Sequence, residues 1–332
     1  MTAARFTPKG ERRWVDAALL ALLVVLAGAS LLAGRVWVPL DHFGAADDPR
    51  WMIITELRIP RTLLGVLVGG ALGLCGATLQ GYTRNPLADP GVLGVSSMAA
   101  LGSVLTLYLP LTAASWLMPV FGMTGAGIGV AILLLLAAPS GEAVTFLLAG
   151  VILNTIASAG VALALSLAPN PWAASEIMTW LMGSLTDRSI LDVRAVAPFV
   201  LIGGALLCTA GRALDAMTLG EVGARALGVS LRRTQLLVAV GVGLACGAAT
   251  SVTGMIGFVG LITPHLLRPL VGSRPGRLLL PSALAGASLL LAADILVRII
   301  PGANEVRLGV AMAALGGPFF LFLLISNRRR LA

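Results

Sequence analysis

The side chains able to do chemistry in this 332-residue chain are few. Lys9 is the only lysine. A G-x-x-x-x-G-K-[ST] loop, whose lysine reaches the β- and γ-phosphates of a nucleotide, is therefore absent, and ATP hydrolysis by that route is excluded. His42 and His265 are the only histidines, and no paired carboxylates fall within an apolar segment, so a metal centre or proton relay has little to be built from. Neither a metal nor a cofactor is expected, and His265, next to Pro264, is read as structural. Cys75, Cys208 and Cys246 all lie in apolar runs and behave as small packing residues. Two polar groupings remain. Asn154 and Ser158 stand one helical turn apart, near Thr145, Thr155 and Ser166, so they either line a path or, for Ser158 and Ser166, return their hydroxyls to the preceding turn. Asp294 and Arg298, four residues apart, form an intrahelical ion pair or leave the arginine for a partner. The stretch "RNPLADPGVLG", residues 84–94, sets two prolines, two glycines, a cation and an acid between apolar runs.

The elements that must position these residues are membrane helices. Hydrophobic residues make up 58% of the chain and charged ones 11%, against about 25% charged in soluble domains. Apolar runs of about 20 residues recur, long enough to cross a ~30 Å hydrocarbon core, whereas a membrane β-barrel shows short alternating segments. The fold class is all-α and polytopic, one transmembrane domain over 1–332 with about ten spans: 15–36, 59–82, 92–109, 115–137, 143–168, 192–212, 232–252, 256–271, 278–300 and 306–326. The first span is too long for a leader's apolar region and lacks a small-residue cleavage site.

Ten spans return both termini to one side. With that side cytoplasmic, fifteen of the 23 basic residues lie inside: Arg5, Lys9, Arg12, Arg13, Arg84, Arg212, Arg225, Arg232, Arg233, Arg268, Arg274, Arg277 and Arg328 to Arg330. Outside remain Arg35, Arg50, Arg58, Arg61, Arg188, Arg194, Arg298 and Arg307. The bias follows the positive-inside rule, so the net charge of +8 is read as topology rather than as affinity for nucleic acid. Two loops are long. Residues 169–191, outside, contain "SEIMTWLMGSL", a short interfacial helix with Trp172 and Trp180 at headgroup depth. Residues 213–233, inside, read as two short helices about Gly228, a protrusion for a soluble partner or a plain connector.

An internal repeat is visible. "RTLLGVLVGGALGLCG" from Arg61 and "RTQLLVAVGVGLACG" from Arg233 each open on Arg-Thr and close on Cys-Gly, and each precedes a Gly/Pro-broken stretch. In this topology the copies run in opposite directions, an inverted repeat. Glycines at four-residue spacing, Gly65, Gly69 and Gly73, or Gly243 and Gly247, allow close helix approach in lipid.

Four separated motifs resemble the FecCD family of permease subunits: "RIPRTLLGVLVGGALGLCGATLQGYTRNPLADPGVLGVS", "LGEVGARALGV", "GMIGFVGLITPHLLRPLVG" and "LLPSALAGASLLLAADILVRIIPGANEVRLGVAMAALGGPFFLFLL". The resemblance runs from about Trp51 to Leu324. It implies a homodimer in the bacterial inner membrane that imports a ferric siderophore, haem or cobalamin, with ABC ATPase subunits on the cytoplasmic side and a periplasmic substrate-binding protein outside. Family coupling helices match Leu219, Gly220, Glu221, Ala224, Leu227 and Gly228. The R-x-P-R arginines Arg58 and Arg61, with Arg298, match residues that meet the binding protein, and Asn85 and Leu87 match an inner gate. Asn154, Thr155 and Ser158 would line the path. Two departures stand out: Glu142 and Ala143 replace hydroxyls of an inner constriction, and Arg307 in Glu305-Val306-Arg307-Leu308-Gly309 replaces the usual proline. An ion-gradient-driven carrier and a membrane enzyme are the alternatives; the first needs buried mid-membrane carboxylates and the second a catalytic cluster.

Overall fold

The computed structural model describes residues 9–34, 49–108, 116–137, 141–300 and 305–331. Arg5, Arg35 and His42 of the sequence reading lie outside them. No strand occurs among the described residues. The helices are α1 (Lys9–Leu32), α2 (Ile59–Thr83), α3 (Val95–Thr106), α4 (Leu117–Ala137), α5 (Ala143–Ser166), α6 (Pro171–Leu181), α7 (Ile190–Thr209), α8 (Gly211–Met217), α9 (Gly220–Ala226), α10 (Leu231–Thr253), α11 (Val259–Val271), α12 (Pro275–Ile299) and α13 (Leu308–Leu331).

Each of the ten expected spans is a helix, but they are not equivalent. Among the described residues, seven stretches are long and apolar enough to cross a membrane. The other three, α3, α11 and Leu308–Phe322 of α13, are shorter. At 1.5 Å per residue, the 12 residues of α3 rise only about 18 Å. Both α3 and α11 therefore need non-helical backbone in front of them, and such backbone survives at membrane depth only inside protein or beside water. The sequence supplies it at matching places. Before α3, Arg84 (φ 52°) and Gly94 (φ 72°) turn left-handed; before α11, Gly254 (φ 71°) and Phe258 (φ 69°) do the same.

The inverted repeat has a packing counterpart. α2 and α10, the most enclosed spans, cross the centre of the bundle, where Cys75 and Cys246, equivalent in the two copies, face each other fully buried. α2 packs on α12 and α10 packs on α4, so the first helix of each copy embraces the third member of the other. Glycine sets how closely. A Cβ on Gly73 would fall on the Ser282 carbonyl oxygen, and one on Gly76 on the backbone of Gly260. Gly73→Ala should thus force α2 and α12 apart and cost roughly 1–3 kcal/mol, as overpacking does. Gly70→Ala, whose Cβ would meet only Ala283 O at 3.6 Å, should be near neutral. Thermal unfolding of the two purified variants checks the contrast, and equal midpoints would refute it.

Candidate functional site

At one end of the bundle, arginines gather three helices. α1 is little covered by protein, and its last carbonyls have no intrahelical partner. Arg58 Nη1 donates to the carbonyls of Leu31 and Leu32 at 2.8 and 3.0 Å, and Arg298 Nη1 to those of Ser30 and Ala33 at 3.0 and 3.2 Å. Cations at a helix C-terminus also suit its dipole. Asp294, fully buried, faces Arg298 Nη2 at 2.8 Å and Arg61 Nη2 at 2.9 Å. Arg61 Nη2 continues to Glu305 Oε2 at 3.0 Å, which also accepts from Thr186 Oγ1 at 3.1 Å. Burial pushes the Glu305 carboxyl up, but Arg61 and Thr186 more than reverse this and hold it below its usual range. Of the two sequence readings of Asp294 and Arg298, the intrahelical pair is the one formed.

The three arginines expected to meet a soluble partner are thus engaged inside the fold: Arg58 and Arg298 are about 5% exposed or less, and Arg61 only 11%. The sequence reading missed Ser30, whose Oγ accepts from Arg298 Nη2 and shares a 2.7 Å hydrogen bond with Thr62 Oγ1, and the reach of Asp294 across to α2. Nothing in the local spacing of Arg61 points to a partner 233 residues away.

The opposite end carries the broken stretch and the protruding loop. After Arg84, Asn85 Oδ1 accepts from Leu87 N at 2.9 Å and Asp89 Oδ1 from Gly91 N at 2.9 Å, so "RNPLADPG" is a turn pinned by its own side chains. Asn85 and Leu87 stand exposed on it. The loop expected to be two short helices about Gly228 breaks earlier: α8 and α9 meet at Thr218–Leu219, Gly220 (φ 86°) starts α9, and Gly228 (φ 80°) only ends it. Ala224 is buried against the bundle, whereas Leu219, Val222 and Leu227 project outward. Both short helices are fastened to spans by caps. Glu221 Oε1 accepts from Ala143 N at 3.1 Å at the start of α5, and Asp215 Oδ1 from Gly276 N at 2.8 Å at the start of α12. At the two positions lacking the family's hydroxyls, Ala143 is therefore held through its backbone.

The polar side chains of α5 divide. Asn154 Oδ1 accepts from Ser97 Oγ of α3 at 2.5 Å and locks the short helix to α5. Thr155 donates to Val151 O in its own helix, and Thr155 and Ser158 stand on the exposed face. Gln80 was also missed. It takes Arg268 Nη2 at 2.6 Å and donates to Gly260 O at 3.1 Å, joining α2 to α11 across the repeat.

A bundle of broken and unbroken spans, with no nucleotide loop and with short helices clamped to its ends, is built as the membrane part of a transporter. Residues 20–326 match the FecCD transport family, and the chain belongs to that family. Over 335 residues it is 36% identical to the vitamin B12 import system permease protein of Klebsiella pneumoniae, covering 99% of this chain and 98% of that one. It is 36% identical over 319 residues to the hemin transport system permease protein of Yersinia pestis, covering 94% and 95%. A solved inward-facing structure of a metal-chelate type ABC transporter superposes with a TM-score of 0.84 at 29% identity, covering 95% of this chain and 99% of that one. The chain is a permease of the ABC importer class and not an enzyme, and its family works with ATPase and substrate-binding partners.

Proposed function

We propose that the chain carries a metal chelate or corrinoid, an iron–siderophore, haem or cobalamin, into the cytoplasm as half of a homodimer in the bacterial inner membrane. Both termini and the α8–α9 end face the cytoplasm, where Arg84, Arg212, Arg225, Arg232 and Arg233 obey the positive-inside bias. There the α8–α9 protrusion receives the ATPase subunits, Leu219, Gly220, Leu227 and Gly228 at its surface, Ala224 seating α9 on the bundle and Glu221 tying it to α5. Asn85 and Leu87 form the inner gate, and the exposed α5 face with Thr155 and Ser158 borders the path between copies, with Asn154 fixing α3 beside it. The outer end receives the periplasmic binding protein, and the inward-held Arg58, Arg61 and Arg298 act there through their field more than by contact.

The bond between Glu221 and Ala143 N carries this reading, because it joins the docking helix to a span that borders the path. A hydrogen bond to a charged acceptor is worth roughly 1.5–3 kcal/mol, enough to bias a two-state motion about tenfold or more. In proteoliposomes, Glu221→Ala should still copurify with the ATPase but lose most coupled uptake and most stimulation of ATP hydrolysis. Undiminished coupled uptake would refute the proposal. An ion-gradient mechanism needs a carboxylate free to titrate, and Asp294 is committed to two arginines.

A further inference from the structure

Beside the arginine network, at the same end, a cavity of about 400 Å³ opens between α6, the connection from α6 to α7 and the approach to α13. That volume falls within the ~300–1,000 Å³ of small-ligand sites. Its walls are fixed: Ser184 N donates to Thr253 O at 2.8 Å, Gly309 N to Gly183 O at 3.2 Å, and Ser184 Oγ to Thr186 Oγ1 at 2.9 Å. Gly183 (φ 72°) also has no room for a Cβ against the Met255 carbonyl. Arg188 and Arg307 reach this space from separate segments. Among the described residues neither guanidinium makes an ion pair, and the Nε of Arg188 is buried without a hydrogen-bond partner. Burial lowers the Arg188 pKa and Arg307 adds to this, against the opposing pull of Asp192 and Asp187. Glu176 and Asp187 line the cavity too, yet among the described residues neither comes within ion-pair distance of a guanidinium.

Two close cations with unused donors in a rigid recess lack an anion. Arginine's planar fork fits an oxyanion with two parallel bonds, and pairing relieves the cost of a buried unpaired charge. Glu176 and Asp187 would repel a phosphate dianion held wholly inside the cavity, whereas one carboxylate group brings a single negative charge with one oxygen for each guanidinium, and the rest of its molecule can stay in the open mouth. We propose that this cavity is a carboxylate-binding site, with Arg188 and Arg307 holding the anion and Ser184, Thr186 and Trp180 framing it. The carboxylate belongs either to an acidic side chain of the binding protein or to the chelate itself. Carboxylate binding rests on the cavity alone; its place on the outer face rests on the orientation proposed above.

Citrate is a suitable probe, titrated calorimetrically into the purified permease at low ionic strength. Saturable binding is expected, weakened about tenfold or more in Arg307→Gln and in Arg188→Gln, with unchanged melting midpoints, and partly retained in Arg307→Lys. No saturable binding by the native chain, or equal affinity in both glutamine variants, would overturn the site. If the glutamine variants also weaken association of the copurifying binding protein, an acidic side chain is the ligand. If only citrate binding falls, the chelate is. Separately, Arg307→Cys in intact cells should react with a membrane-impermeant maleimide added outside. Failure there, with citrate binding intact, overturns the orientation and leaves the site standing.

Discussion

Asp294→Ala is expected to destabilise the folded permease by about 3–5 kcal/mol, the usual range when one member of a buried charge network is removed. Asp294 has no solvent contact and holds Arg61 through both oxygens and Arg298 through Oδ2. Its loss leaves two guanidiniums facing each other in a water-poor interior. Arg298 also caps α1, which has little other protein contact, so the damage should reach the first span. Detergent-induced or thermal unfolding of the purified chain measures the effect. The double variant Asp294→Ala with Arg298→Leu should recover part of it by removing one orphaned charge, whereas a single variant as stable as the native chain would show that the network is not what holds this end. Glu305→Gln should do less, since Glu305 is partly solvated and Thr186 can still bond the amide.

These bonds change how Arg58, Arg61 and Arg298 can be tested. From the sequence, reversing Arg58 and Arg61 to glutamate looks like a clean probe of docking. In the fold, a glutamate at 61 would face Asp294 and Glu305, and one at 58 would abandon the α1 carbonyls. Lost docking would then be inseparable from lost structure. Arg307, in no ion pair among the described residues, is the better probe of that face.

Ten apolar segments, their order and the repeat were legible because lipid imposes length and composition on every span. The short helix α6 was legible too, as a helix inside the polar loop, although Trp180 is half-buried against the protein and only Trp172 stands exposed. What one chain could not reveal was pairing across sequence distance. Asn154 reads as a path residue by its position on a helix, and only the fold brings Ser97, 57 residues away, against it. Gly228 drew the break in the protruding loop because glycine so often ends a helix. The break instead falls ahead of Gly220, where Glu221 must turn toward Ala143 to cap α5.

The largest functional effect is expected at the turn after α2. Asn85 and Leu87 lie exposed beyond the left-handed Arg84, and the turn is held by short local bonds, from Leu87 N to Asn85 Oδ1 and from Ala88 N to Asn85 O at 3.2 Å. Such a segment can shift as a unit without unwinding α2, which suits a gate. If two copies bring these turns together across the path, a disulfide between paired Asn85→Cys residues should stop ATP-driven uptake altogether, and a reductant should restore it. Because Asn85 also pins the turn, Leu87→Cys is the companion variant: its crosslink leaves the Asn85 side chain in place, and Asn85→Ala reports the cost of losing the pin alone. Uptake into proteoliposomes is read before oxidation, after it and after reduction. Efficient crosslinking with normal uptake would rule out the gate, and the absence of any crosslink in both cysteine variants would rule out the facing of these turns across a dimer.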